Sequence, residues 1–243
     1  MESIVRTKQL VKIYGENETE VVALNKIDIE FIKGQFTAIM GPSGSGKSTL
    51  LHCLAGLDSP TSGSIYINNT DLSQLNDKQL TKLRRDSFGF VFQAFNLIPT
   101  LTAAENISLP SSIAGKRPEE EWLGKIIETL DLGDRLNHRP NELSGGQQQR
   151  VAVGRALASK PEVIFADEPT GNLDSISSEE LLTFLKMIVR ELNQTIIMVT
   201  HNPVAASYAD RVIFLRDGSI FNDLNEPSKE QIIETVSDIS SKG

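Results

Sequence analysis

The stretch Gln35-Phe36-Thr37-Ala38-Ile39-Met40, followed by Gly41-Pro42-Ser43-Gly44-Ser45-Gly46-Lys47-Ser48-Thr49, reads as a buried strand, a glycine-rich loop and the start of a helix. Its spacing fits the phosphate-loop pattern without gaps. The glycines let consecutive backbone N–H groups turn inward on a phosphate. The helix, predicted over residues 47–57, adds its positive dipole end. Lys47 is expected to reach the terminal phosphates as a point charge, and Ser48 to offer its hydroxyl to Mg2+.

Working outward, residues 4–14 and 21–32 alternate apolar and polar side chains and are predicted strands, joined by a polar turn at 15–20. Residues 63–67 are a further strand, 77–85 a polar helix, and 88–92 a buried strand ending at Gln93. From Asn96 to about Ala158 the pattern turns helical, with breaks expected at Pro99, Pro110, Pro118 and Pro140. This reads as a helical lobe inserted into an α/β core. The core resumes with strand 163–166, helix 175–192 and strands 195–199 and 211–215. Asp217-Gly218 is a hairpin signal, because that dipeptide accepts positive φ. Residues 227–243 read as an amphipathic tail helix built on Ile232, Ile233, Val236 and Ile239.

Two further stretches carry chemistry. Val163-Ile-Phe-Ala-Asp167-Glu168 is an apolar strand ending in two acids, and such an end in an open parallel sheet lies where ligands bind. Asp167 is expected to hold Mg2+ through its water shell and Glu168 to polarise an attacking water. Leu143-Ser144-Gly145-Gly146-Gln147 opens a predicted helix over 148–158 that has no strand before it. Read alone, it fits a serine N-cap with a flexible glycine pair equally well. As a second nest of N–H donors it points to two chains facing each other across a nucleotide.

Together these motifs resemble the ATP-binding cassette (ABC) ATPases, over about Ile4 to Ile220. The resemblance implies an α/β P-loop NTPase fold with a RecA-like core, an antiparallel β-subdomain and an inserted α-helical subdomain. It implies ATP hydrolysis with ATP and Mg2+ bound. By it, residues 1–226 form the nucleotide-binding domain, with the lobe at 96–158, and residues 227–243 a helical tail. Ser144, Gly145, Gly146 and Gln147 would contact the γ-phosphate held by the opposite subunit. Tyr14 would stack on adenine, Gln93 would sense Mg2+ and γ-phosphate, and Asp174 would cross the dimer interface. His201 would contact the γ-phosphate, and Glu168 would be the catalytic base. Plainer readings exist for single residues: a strand aromatic for Tyr14, a solvated strand end for Gln93, a cap neighbour for His201.

Residues 92–107 and 167–174 resemble the group that serves lipoprotein release, macrolide export and antimicrobial-peptide resistance. Members of that group work with FtsX-like permeases. The partners implied are such an integral membrane permease and a second copy of the chain, with Phe95, Leu97, Ile98 and Leu101 forming part of the permease groove. Simple packing of the lobe explains those four side chains equally well. Rival readings are a soluble ATPase acting on ribosomes or DNA, and an importer ATPase.

Bulk properties limit these choices. A net charge of −8 leans away from a nucleic-acid partner. The single cysteine, Cys53, excludes a disulfide framework and sits in an apolar run as a small buried residue. Residues 1–8 lack an apolar signal stretch, and no run reaches about 18 uncharged apolar residues. A cytoplasmic location, peripheral to the membrane through the permease alone, is therefore expected. Gly154, where many relatives have alanine, is expected to weaken its helix by about 1 kcal/mol unless close packing compensates.

Overall fold

The computed structural model describes residues 2–117 and 119–241. Strands β1 (Ser3–Tyr14) and β2 (Val21–Ile32) pair antiparallel, and with β4 (Ser62–Ile67) and β5 (Thr70–Asp71) they form a sheet ordered β2-β1-β4-β5. The second sheet is ordered β10-β9-β3-β8-β7-β6. In it β3 (Phe36–Met40), β6 (Phe88–Phe92), β7 (Val163–Asp167), β8 (Thr195–Val199) and β9 (Arg211–Arg216) run parallel, and β10 (Ser219–Asn225) closes one edge antiparallel. The β9–β10 turn has Asp217 and Gly218 both at positive φ, as its sequence predicts.

Parallel strands need crossovers, which cover both faces of the sheet. The apolar residues accordingly divide by strand parity. Phe36, Ala38, Met40, Ile196 and Met198 enter one core, while Ile39, Ile197 and Val199 enter the other. The second core is closed by the antiparallel sheet and by α1 (Lys47–Leu54). The first is covered by α3 (Ala103–Ile113), α5 (Gly145–Leu157) and α6 (Ser175–Leu192). Helices α2 (Asp77–Ser87) and α4 (Glu120–Thr129) complete the region before β7.

Several local expectations change. Helix α1 stops at Leu54, short of residue 57. Gly56 takes φ +63°, its N–H donates to Cys53 O and that of Leu57 to His52 O, which is a Schellman C-terminus. Pro110 lies inside α3 and does not break it. The missing N–H and ring clash oppose the helix by about 3 kcal/mol. A Thr102/Glu105 capping box and buried Ala103, Asn106 and Ile107 oppose that cost. Pro140 opens a short 3-10 turn, and Pro118 lies outside the described residues. In the tail, α8 (Lys229–Ser241) buries Ile232, Thr235 and Ile239 but leaves Ile233 exposed, so Thr235 takes the place expected of Ile233 on the apolar stripe.

The helices approach one another and the sheet through glycines. A Cβ on Gly154 would lie 3.2 Å from Ile107 Cγ1, so close packing of α5 on α3 offsets its poor helix propensity. At Gly89 on β6 the approach is tighter, since a Cβ would lie 2.6 Å from the carbonyl oxygen of Ala156 on α5. Backbone cannot swing aside as a side chain can. Gly89→Ala is expected to lower stability by about 1–3 kcal/mol, read from urea unfolding. An unchanged midpoint would show that α5 can shift freely on the sheet.

Candidate nucleotide site

Strand register assembles the site. Ile39 pairs with Val199, Val199 with Asp167, and Asp167 with Phe92. One rung further, the chain leaves the sheet at Thr200, Glu168 and Gln93, and next to them at Gly41 after Met40. This is the carboxyl edge, where open α/β sheets bind ligands.

The phosphate loop is built on close backbone approaches. Gly46 caps α1 at φ +98°, and a Cβ there would lie 2.3 Å from the carbonyl oxygen of Ala23. The loop is thus pressed on β2, with the α1 N-terminus opening into the site. Lys47, only 9 % exposed, donates from Nζ to Pro42 O at 2.8 Å. Burial lowers its pKa, while the carboxylates of Glu168 and Asp167 act in the opposite sense. The Ser45 hydroxyl is buried and finds no partner among the described residues. A buried cation and an orphaned hydroxyl in one loop fit a phosphate ligand.

Across the loop, Ser48 Oγ donates to Asp167 Oδ1 at 3.4 Å. Burial raises the Asp167 pKa, and the neighbouring Glu168 charge adds to it, against His52, Ser48 and Lys47. A hydroxyl facing a carboxylate that lacks full charge compensation fits Mg2+, which takes one or two protein oxygens when substrate phosphates supply others. The backbone turns sharply after Asp167. Glu168 adopts φ +46°, a left-handed conformation that costs a non-glycine residue about 1–2 kcal/mol, and its N–H donates to Val199 O. This turn brings Glu168 Oε1 to 2.8 Å from His201 Nδ1. The ring of His201 is otherwise open, its side chain 74 % exposed.

The other candidates are held by hydrogen bonds of their own. Ser144 caps α5: its Oγ accepts from Gln147 N, and its own N–H donates to Gln147 Oε1. The helix therefore starts at Gly145, three residues before the predicted start, because the capping box draws both glycines into the first turn. A Cβ on Gly146 would lie 3.0 Å from Ser177, so α5 packs closely on the start of α6. Asp174 caps α6 by accepting from Ile176 N and Ser177 N. Ser144 and Asp174 thus head two neighbouring helices. Gln93 donates from Nε2 to Asn172 Oδ1 at 3.0 Å, and Asn172 Nδ2 donates back to Gln93 O. Ser48 and Asp167 bond each other and not Gln93. Tyr14 ends β1 and is 41 % exposed.

Some residues that organise the site escaped the sequence reading. Buried Gln149 of α5 donates from Nε2 to Phe92 O at 3.2 Å and to Pro169 O at 2.6 Å. It ties α5 to the residues flanking Gln93 and Glu168. Its signal was a polar side chain at an inward position of an amphipathic helix, in register with Ala152, Val153 and Ala156. Arg155 donates to the carbonyls of Phe95 and Asn96, fixing two successive residues at positive φ. His52 Nε2 lies 3.9 Å from Asp167 Oδ2. Cys53 is inert, as burial pushes its thiol pKa up to about 12. No helix among the described residues is long and apolar enough to cross a membrane.

The chain is 48 % identical over 225 residues to an ABC transporter ATP-binding protein of Methanocaldococcus jannaschii, MJ1508, covering 92 % of this chain and all of that one. It is 46 % identical over 235 residues to the macrolide export ATP-binding/permease protein MacB of Marinobacter nauticus, covering 96 % of this chain but 36 % of MacB. Among solved structures, the ATP-binding cassette MJ0796, described as a dimeric post-hydrolysis state bound to ADP and Pi, superposes with a TM-score of 0.80. That match has 43 % identity and covers 93 % of this chain and all of that one. The ABC transporter family itself matches residues 24–171, which include the phosphate loop, the Ser144 helix start and the Asp167-Glu168 turn. With that much of the chain matched and the phosphate loop and paired acids at one sheet edge, the protein belongs to the ABC transporter family as its ATP-binding, ATP-hydrolysing cassette.

Proposed function

We propose that two copies of this chain close face to face around two ATP molecules and that hydrolysis drives a separate FtsX-like membrane permease. The observation that carries this reading is that two of the helix N-termini in one chain carry glycine-rich motifs, α1 behind Gly41–Gly46 and α5 behind Ser144. Each is a site for negative charge. One triphosphate has one γ end, so the second terminus suits the nucleotide of a second copy. The dimeric state described for MJ0796 supports this arrangement.

In the closed pair, the loop from Gly41 to Thr49 wraps the phosphates and Lys47 offsets their charge. Ser48 and Asp167, joined by Gln93, would hold Mg2+, which would neutralise charge on the β- and γ-phosphate oxygens. Glu168 accepts the proton of the attacking water. Its contact with His201 Nδ1 leaves Nε2 as the nitrogen available to the γ-phosphate. Tyr14 stacks on adenine. Ser144 to Gln147 and Asp174 reach the nucleotide of the opposite copy, so bond cleavage loosens the interface.

The permease surface is a cavity of about 460 Å³ lined by Phe90, Phe92, Leu109 and Ile113 together with Arg84 and Arg155. An apolar floor of this kind suits an amphipathic helix. It adjoins Asn96, although none of the four expected groove residues, Phe95, Leu97, Ile98 and Leu101, lines it. Arg155 holds the Phe95–Asn96 turn, which links the groove to Gln93. The chain then works at the cytoplasmic face, touching the membrane only through its permease.

Ser144→Arg places a long cation where the second copy must seat a phosphate. It is expected to leave ATP binding by the monomer within about twofold while abolishing ATP-dependent dimers in light scattering, since a misplaced bulky group at a packed interface costs several kcal/mol. Normal dimerisation would refute the role across the interface. The partner is tested by purifying tagged Glu168→Gln protein with ATP from detergent-solubilised membranes and identifying what accompanies it by mass spectrometry. Recovery of an FtsX-like permease supports the reading. Recovery of ribosomal or DNA-bound proteins with no permease would overturn it.

A further inference from the structure

Tyr14 does not stand alone at the end of β1. Its hydroxyl donates to Asp58 Oδ2 at 2.7 Å. Asp58 Oδ1 accepts from Lys12 Nζ at 2.6 Å, and the same ammonium donates to Ser59 O at 2.8 Å. Lys12 and Tyr14 are two residues apart on one strand and so project from the same face. The Lys12 ammonium lies 4.8 Å from the centre of the Tyr14 ring, within cation–π range. One ring face is therefore covered by a cation, and the phenol is held at its tip by a carboxylate. The Tyr14 hydroxyl also meets the Thr49 side chain, which sets the ring beside the first turn of α1.

The loop that carries Asp58 is itself fastened to β1. Thr61 N donates to Val11 O at 2.8 Å, and Ile13 N donates to Thr61 Oγ1 at 2.9 Å. Burial opposes the charge of Asp58, yet the hydrogen bonds from Lys12 and Tyr14 outweigh it and hold the carboxyl below its ordinary range. The triad is thus an ionic unit on a fixed loop. An exposed tyrosine without such partners would sample several rotamers and give up side-chain entropy on stacking.

We propose that Asp58 and Lys12 are positioning residues that brace the Tyr14 ring as the stacking face for the adenine of ATP, so that they set affinity for the base without contacting the phosphates. This rests on the reading of Tyr14 as the adenine platform. The cation behind the ring draws π density away from the open face, which favours stacking on an electron-rich purine. A nucleotide loses affinity when the brace is removed. A ligand with phosphates and no base does not.

The test compares ATP with inorganic tripolyphosphate, both as Mg2+ complexes, on the full chain by calorimetry. Tyr14→Phe removes the phenol hydroxyl with its contacts to Asp58 and Thr49, and Asp58→Ala removes the acceptor that Tyr14 shares with Lys12. Each is expected to weaken ATP roughly five- to tenfold and to leave tripolyphosphate unchanged. For Asp58→Ala, KM should rise by the same factor with kcat retained. The double variant should lose clearly less than the product of the two single losses, because both remove the Tyr14–Asp58 contact. A parallel fall in ATP and tripolyphosphate affinity would mean that Asp58 merely supports the loop, and would overturn the proposal. So would wild-type ATP affinity in both single variants while Tyr14→Ala binds ATP weakly. If Tyr14→Ala itself binds ATP normally, the adenine platform fails and the brace with it.

Discussion

Glu168→Gln is expected to bind ATP at least as tightly as the wild type and to hydrolyse it about a hundredfold to ten-thousandfold more slowly, the range a general base contributes. The substitution keeps the shape of the side chain and an oxygen for the 2.8 Å contact with His201. It also keeps the strained turn at φ +46°, since the backbone there is fixed by hydrogen bonds of Glu168 N to Val199 O and of Gly171 N to Glu168 O. What it removes is the proton acceptor and one negative charge near the phosphates. Losing that charge lessens repulsion of the γ-phosphate, so binding should not suffer. The ATP-bound pair should accumulate and appear as a stable dimer by light scattering, while single-turnover phosphate release measures the chemistry. Wild-type turnover would remove Glu168 as the base and leave His201 to be tested in its place.

The parts of this site legible in the sequence are those whose signal is local. The phosphate loop needs glycines at fixed offsets between a strand and a helix, and the paired acids need only a strand end. Strand spans were read nearly to the residue for β6, β7 and β8 because their apolar runs are continuous and bounded. The rung joining Ile39, Val199, Asp167 and Phe92 was not readable. It depends on which distant strands pair and in what register, and no local pattern encodes that. The same holds for Asp58, which meets Lys12 across 46 residues of chain, and for Gln149, which reaches Phe92 and Pro169 from another element.

Local signals also misled where packing overrode them. Pro110 is a helix breaker by its own chemistry, yet α3 continues through it because a capping box and buried side chains hold the turns on either side. Gly145 and Gly146 read as a loop ahead of the helix, but Ser144 and Gln147 close their reciprocal bonds around them and start the helix early. Gly154 looked like a departure that weakens α5. The 3.2 Å approach of Ile107 shows that a side chain there would crowd α3. Ile233 belongs to the apolar set of the tail by composition, but the face of α8 that meets the core passes through Ile232, Thr235 and Ile239.

Lys47→Ala is expected to abolish ATP binding, with a loss in affinity of at least about a hundredfold. The ammonium is the cation of the phosphate loop, and it lies where the charges of Asp167 and Glu168 also act on it. Removing it does more than delete one attraction. Two carboxylates then face an incoming triphosphate with less compensation, and like charges at close range in a partly buried site are worth several kcal/mol. Mg2+ does not replace the lost ammonium, because its protein oxygens would be those of Ser48 and Asp167 and the buried position of Lys47 would stand without a cation. Without nucleotide the fold should tolerate the change, since the hydrogen bond lost is one to Pro42 O and burial of the ammonium already opposes its charge. The melting temperature of the free variant should therefore stay close to that of the wild type. Added ATP should raise the wild-type value by mass action and leave the variant's where it was. Equal shifts in the two proteins would mean that Lys47 holds no phosphate, and the assignment of the loop from Gly41 to Thr49 would fall with it.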